Sequence, residues 1–167
     1  MNTSQADNSH YYHNLLLKES LKKFFGDFED EVFDEFEHQL KWLELEGGQT
    51  LLKEGDEGDS LYFVLSGRLA ATRSKGTGGA VKIGEVVRGE TVGEMSMFTH
   101  EPRHATITAI RDCVLVQLSK ASFDELIDKY PQVALNFTRL IIERFKNNNQ
   151  AEKLHNSVNL CFIPLHN

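Results

Sequence analysis

Glu94 and Arg103 stand nine residues apart in the run Gly93-Glu94-Met95-Ser96-Met97-Phe98-Thr99-His100-Glu101-Pro102-Arg103-His104-Ala105-Thr106. A carboxylate and a guanidinium here flank a run of backbone N–H groups. An ionised carboxylate is a strong acceptor, which a buried sugar hydroxyl needs. A guanidinium is a planar fork that can hold both free oxygens of a phosphate diester, and it stays charged at any relevant pH. The inventory suits a small ligand with a sugar hydroxyl at one end and a single negative charge at the other. Glu94 is assigned to the hydroxyl and Arg103 to the phosphate. Gly93 lets the backbone approach closely. Met95–Phe98 are read as a short helical turn whose first N–H groups add to the anion site, so Met95 and Ser96 join it. The N–H of Ala105 and the hydroxyl of Thr106 complete the phosphate shell. Met95, Met97 and Phe98 are expected to face the β-roll core, and Ser96 and Thr99–Glu101 to line solvent at most. The plain alternative is an Arg103–Glu94 ion pair that only closes a loop.

These residues need a scaffold. The chain has 167 residues, 40% of them hydrophobic, a net charge of −7 and a pI near 5.5. That length supports one domain with an ordinary core. The acidic balance argues against DNA or RNA as partners, because nucleic acid is bound by basic surfaces. Cys113 lies in the apolar run Cys113-Val114-Leu115-Val116, and Cys161 is the other cysteine. An inert buried thiol and a reducing compartment follow. No apolar run has the length of a membrane span, and the N-terminus lacks a signal peptide's apolar centre. The chain reads as cytoplasmic.

Residues 1–13 are polar and predicted to be a disordered tail. Residues 14–40 read as helix, with apolar stripes Leu17, Leu21, Phe24, Phe25 and Phe28, Val32, Phe33, Phe36, Leu40 separated by Gly26. The acidic residues between them read as a solvated face. From Trp42 to Leu118 the period becomes two. Strands are predicted at Gln49–Leu52, Leu61–Leu65, Arg68–Thr72, Val81–Val87, Ala105–Ile110 and Val114–Leu118, with a turn at Ser66-Gly67 among others. Ser119 is read as the N-cap of a helix over Lys120–Lys129. Pro131 opens a further helix with the stripe Val133, Phe137, Leu140, Ile141, Phe145. The predicted fold is mainly β, a double-stranded β-roll of the jelly-roll kind with N-terminal and C-terminal helices. Residues 155–167 read as a linker or the first strand of a following domain, because Val158–Pro164 looks like a strand without a partner.

The spacing of the Gly-Glu pair and the Pro102-Arg103-His104-Ala105-Thr106 run resembles the phosphate-binding cassette of the cyclic nucleotide-binding domain family. So do Gly47–Asp56, Gly58-Asp59-Ser60-Leu61-Tyr62-Phe63-Val64-Leu65-Ser66-Gly67-Arg68-Leu69, and Ile83–Val86 with Gly89. The block around Trp42 and the Leu61–Leu69 run look most like the regulatory domains of neuropathy-target-esterase-like patatin phospholipases. The resemblance covers about residues 20–150, and residues 14–154 are taken as the domain. It implies binding of cyclic AMP or cyclic GMP, with cyclic AMP favoured, and a response in which the C-terminal helices move. Asn136 and Arg139 become candidate base contacts. The chain is read as a regulatory domain without enzymatic residues, cut from a larger enzyme or standing alone, with no cofactor and no metal. Its partners are an effector domain in the same chain or another protein, or a second copy through the C-terminal helix. His104 departs from the family pattern, where small residues are usual. It brings an imidazole to the phosphate or the purine. A ligand-free interaction module on the same fold is the alternative.

Two motifs are refused. His100-Glu101-Pro102-Arg103-His104 matches the H-E-x-x-H pattern of zinc proteases, but that chemistry needs a continuous helix and Pro102 opposes one. Ser74-Lys75-Gly76-Thr77-Gly78-Gly79 lacks the ending of a phosphate loop and is read as a hairpin turn.

Overall fold

The computed structural model describes residues 3–26, 30–76, 78–139 and 141–143. The elements run α1 (Thr3–Phe25), α2 (Asp30–Glu37), β1 (Lys41–Leu45), β2 (Thr50–Leu52), β3 (Ser60–Ser74), β4 (Ala80–Val87), β5 (Thr91–Val92), α3 (Glu94–Thr99), β6 (Thr106–Ser119) and α4 (Lys120–Lys129). Residues 131–139 form α5. Every strand pairing is antiparallel. The order is β1-β6-β3-β4, with β2 also on β6 and β5 also on β3. This is the predicted mainly β roll with helices before and after it.

β3 is buried without interruption from Ser60 to Leu65 because both of its faces are covered. Leu61, Phe63 and Leu65 pack into a helical layer with Leu17, Leu21, Phe24, Phe25, Phe123 and Phe137. Tyr62, Val64 and Leu69 face the roll interior with Ile107, Ala109, Cys113 and Leu115. The inward positions change from even to odd numbers along the strand. That change is made at Gly67, which does not turn the chain as predicted. The ladder with β6 slips between Val64 and Ser66 and again on to Leu69, so Gly67 sits in a bulge inside one continuous strand. A Cβ there would lie 2.4 Å from Cys113 Sγ and 2.5 Å from the Asp112 carbonyl, at a φ of 96°. Only glycine fits. The predicted strands at 105–110 and 114–118 likewise join into β6.

The helices follow their stripes. α1 ends at Phe25, before Gly26, and the Ser119 hydroxyl caps α4 by accepting from Ser122 N at 3.1 Å. Residues 3–13 differ from expectation, because α1 already begins at Thr3. Tyr12 accepts a hydrogen bond from Arg88 at 3.2 Å, and the His13 ring lies 6.3 Å from Trp42, so the roll supports this part of the helix. Phe28, Leu140, Phe145, Cys161 and the predicted strand at 158–164 lie outside the described residues. Among the described residues, no helix is long and apolar enough to cross a membrane.

Candidate functional site

β5 delivers the chain to Gly93, which has a φ of 89° and precedes α3. A side chain there would be strained, and a Cβ would meet Arg103 Nη1 at 2.7 Å and the Ser60 carbonyl at 3.0 Å. Glu94 opens α3 and is 5% exposed. His100 closes α3 in a left-handed conformation, and residues 101–103 are irregular. The H-E-x-x-H segment is therefore not a helix, and its two imidazoles do not share a helical face.

Arg103 is held at both levels. Its N–H donates to the Asp56 carbonyl at 2.7 Å, and its own carbonyl accepts from Gly55 N at 2.8 Å. Those bonds tie the loop to the β2–β3 turn. Arg103 as a whole is 5% exposed. Nη1 donates to the Gly93 carbonyl at 2.6 Å, and Nη2 donates to the Ser60 carbonyl at 2.9 Å. Nε is buried and has no hydrogen-bond partner. Burial pushes the guanidinium below its usual pKa, while Tyr62, Asp59, Glu94 and Asp56 oppose the shift. An arginine keeps its proton through such a change.

An open cavity of about 680 Å³ lies over these groups. That is within the roughly 300–1,000 Å³ of small-ligand sites. Gly93, Glu94, Met95, Ser96, Arg103, His104 and Ala105 all line it, and among the described residues no Phe, Tyr or Trp does. One wall is shallow and apolar, because Ala71 is paired directly with Gly84 and flanked by Val86 and Ile107. Such a wall suits a flat heterocycle.

The structure redistributes several predicted roles. Thr106 does not line the cavity, since its hydroxyl accepts from Glu54 N at 3.0 Å and so belongs to the roll. Ser96 is buried, at 3%, rather than solvent-facing. None of the three residues expected in the β-roll core faces the roll interior: Met97 is buried, but in the helical layer. Met95 lines the cavity, and the Phe98 ring lies 5.0 Å from Phe123 and 4.2 Å from Phe137, in the helical layer. His104 is at the exposed lip, with Nε2 2.9 Å from Glu101 Oε2. Asn136 donates to the Phe25 carbonyl, and neither it nor Arg139 lines the cavity. β3 and β4 pair as a hairpin, Ser74 opposite Ala80, and Lys75 N donates to the Gly79 carbonyl at 2.9 Å. Sequence reasoning missed Gly58, Ser60, Arg73 and the Ala71–Gly84 wall. Only the Gly58-Asp59-Ser60 turn had a local signal.

The family model described as "Cyclic nucleotide-binding domain" matches residues 42–130. A lysophospholipase NTE1 from Coccidioides immitis is 35% identical over 116 residues, 68% of this chain and 7% of that protein. The chain thus spans a small part of the curated relatives it matches. Among solved structures, a cyclic nucleotide-binding domain from Methylobacillus flagellatus aligns with a TM-score of 0.74 at 27% identity, covering 85% of this chain and 82% of the other. The Thermus thermophilus catabolite activator protein aligns with a TM-score of 0.71 at 26% identity, covering 80% and 63%. The family match runs from β1 through α4, more than half of the sequence, and it contains the buried Glu94, the buried Arg103 and the cavity above them: the chain belongs to the cyclic nucleotide-binding domain family.

Proposed function

We propose that this domain is a sensor that binds a cyclic mononucleotide, cyclic AMP ahead of cyclic GMP, in the cavity over Arg103. The observation that carries the reading is that the buried Arg103 and the buried Glu94 line one and the same cavity. Glu94 takes the ribose hydroxyl, and the Ala71–Gly84 wall takes the base. The output is movement of α4 and α5. Phe98 of α3 packs on Phe123 and Phe137 of those helices, so a shift of α3 reaches them directly. The ligand must favour one arrangement over the other for this to occur. The lysophospholipase relatives support a hydrolase as the regulated partner.

A second reading has its own support. Two of the guanidinium's nitrogens already donate to the Gly93 and Ser60 carbonyls, which suits a ligand-free interaction module. Calorimetric titration with both nucleotides separates the two. Sensing requires heat from the native chain and a loss of roughly 2–4 kcal/mol in Arg103→Ala, on the order of a hundredfold. Silence with both nucleotides leaves the interaction module.

A further inference from the structure

We infer that Arg73 is a second guanidinium for the ligand's negative charge, placed at the rim of the cavity whose floor holds Arg103. The inference rests on the cyclic nucleotide reading above and names a contact residue within it.

Past the bulge, Leu69 and Ala71 face the roll interior, and Arg73 is the next residue on that side of β3. It lines the cavity and is exposed. Its Nε donates to the His104 carbonyl at 3.1 Å. That carbonyl belongs to the residue between Arg103 and Ala105, so Arg73 reaches across to the very loop that carries the first arginine. One anchored nitrogen fixes the guanidinium plane, and the two amino groups remain. They make no hydrogen bond or ion pair with any described residue.

The carboxylates that could neutralise Arg73 have other partners. Glu54 accepts from Ser74 N at 2.7 Å, and Glu90 accepts from Val87 N at 2.8 Å. Glu101 pairs with His104, and Glu85 pairs with Arg68 and Lys82. Glu94 acts on Arg103. A guanidinium with an unused fork thus stands one peptide unit from the Ala105 N–H. A cyclic phosphate spreads one charge over two free oxygens. Arg103 meets it from the buried side, and Arg73 meets it from the solvent side. An exposed cation acts through a screened field, so its part of the affinity depends on salt, whereas that of the buried arginine does so much less.

The test is titration of the full chain with cyclic AMP and with cyclic GMP at low and high sodium chloride, together with a melting curve. Arg73→Gln is expected to weaken binding about tenfold at low salt and to flatten the salt dependence, with the melting temperature unchanged. Arg73→Lys keeps the charge but cannot grip the His104 carbonyl and the phosphate together. It should restore the salt dependence and only part of the affinity. Unchanged affinity in Arg73→Gln, beside a native chain that binds, overturns the inference and leaves the sensor reading standing. Equal weakening at both salt levels with a lowered melting temperature also overturns it, because Arg73 is then only a brace for the loop. A native chain silent on both nucleotides removes the sensor reading itself.

Discussion

Gly58 lies against the guanidinium of Arg103: a Cβ on this glycine would fall 2.7 Å from both Cζ and Nε, and 2.7 Å from Ser96 Cβ. There is no slack in this packing. Gly58→Ala must push the arginine or α3 away, at a cost of about 1–3 kcal/mol typical of overpacking. We expect cyclic nucleotide affinity to drop at least tenfold. Paired calorimetry and melting curves check this, and unchanged affinity would mean that the guanidinium does not hold the ligand.

Gly84 presents the opposite situation. A Cβ there meets nothing within 4 Å, and the residue opposes Ala71 on the cavity wall. Valine is favoured in strands, so Gly84→Val should leave the melting temperature level or raise it slightly. Its side chain occupies the surface assigned to the base. Loss of nucleotide binding with an intact melt is the expected result. Full binding in this variant would move the base elsewhere.

Asn136 ties α5 to the end of α1 through the Phe25 carbonyl, and Gly26 makes room for it, since a Cβ there would lie 2.1 Å from Asn136 Nδ2. Asn136→Ala should cost about 1 kcal/mol of stability, the net worth of one hydrogen bond. If the bound form parts α5 from α1, the same substitution should strengthen nucleotide binding. Equal affinities in the two proteins would show that α5 stays on α1 when the ligand enters.

Phe98 is 38% exposed, yet it packs on two other rings. Phe98→Ala should lower stability by about 1–3 kcal/mol, from lost burial and two aromatic pairs. Affinity should fall less than in Arg103→Ala, because the cassette loop remains. Hydrogen exchange of α5 is the sharper readout: amides of residues 132–139 should lose protection first.

The parts of the site that were legible lie close together in the chain. Gly93, Glu94 and Arg103 have chemistry that only a fixed local spacing can organise, and that spacing is visible in one line of text. Ser60, Gly58 and Arg73 join them only because β3 crosses the whole roll, and no local pattern announces such a meeting. Phe98 was misplaced for a related reason. A short helix on a roll has two apolar surroundings, the interior and the helical layer, and periodicity does not distinguish them. β1 went unnamed because Trp42 packs toward the helices while Leu43 and Leu45 pack inward, which blurs the alternation. Ser66-Gly67 looks like a turn in composition. Its glycine is there for close backbone approach to Asp112 and Cys113.

β3 begins at Ser60, whose carbonyl holds Arg103, and carries Arg73 just before its last residue. A single strand, hydrogen-bonded to β6 along most of its length, therefore acts as a ruler between the inner and outer cations. Arg73 rides on this strand and the loop-borne Arg103 is pinned to its first residue, so any displacement of that loop must break the Ser60 contact or carry β3 with it.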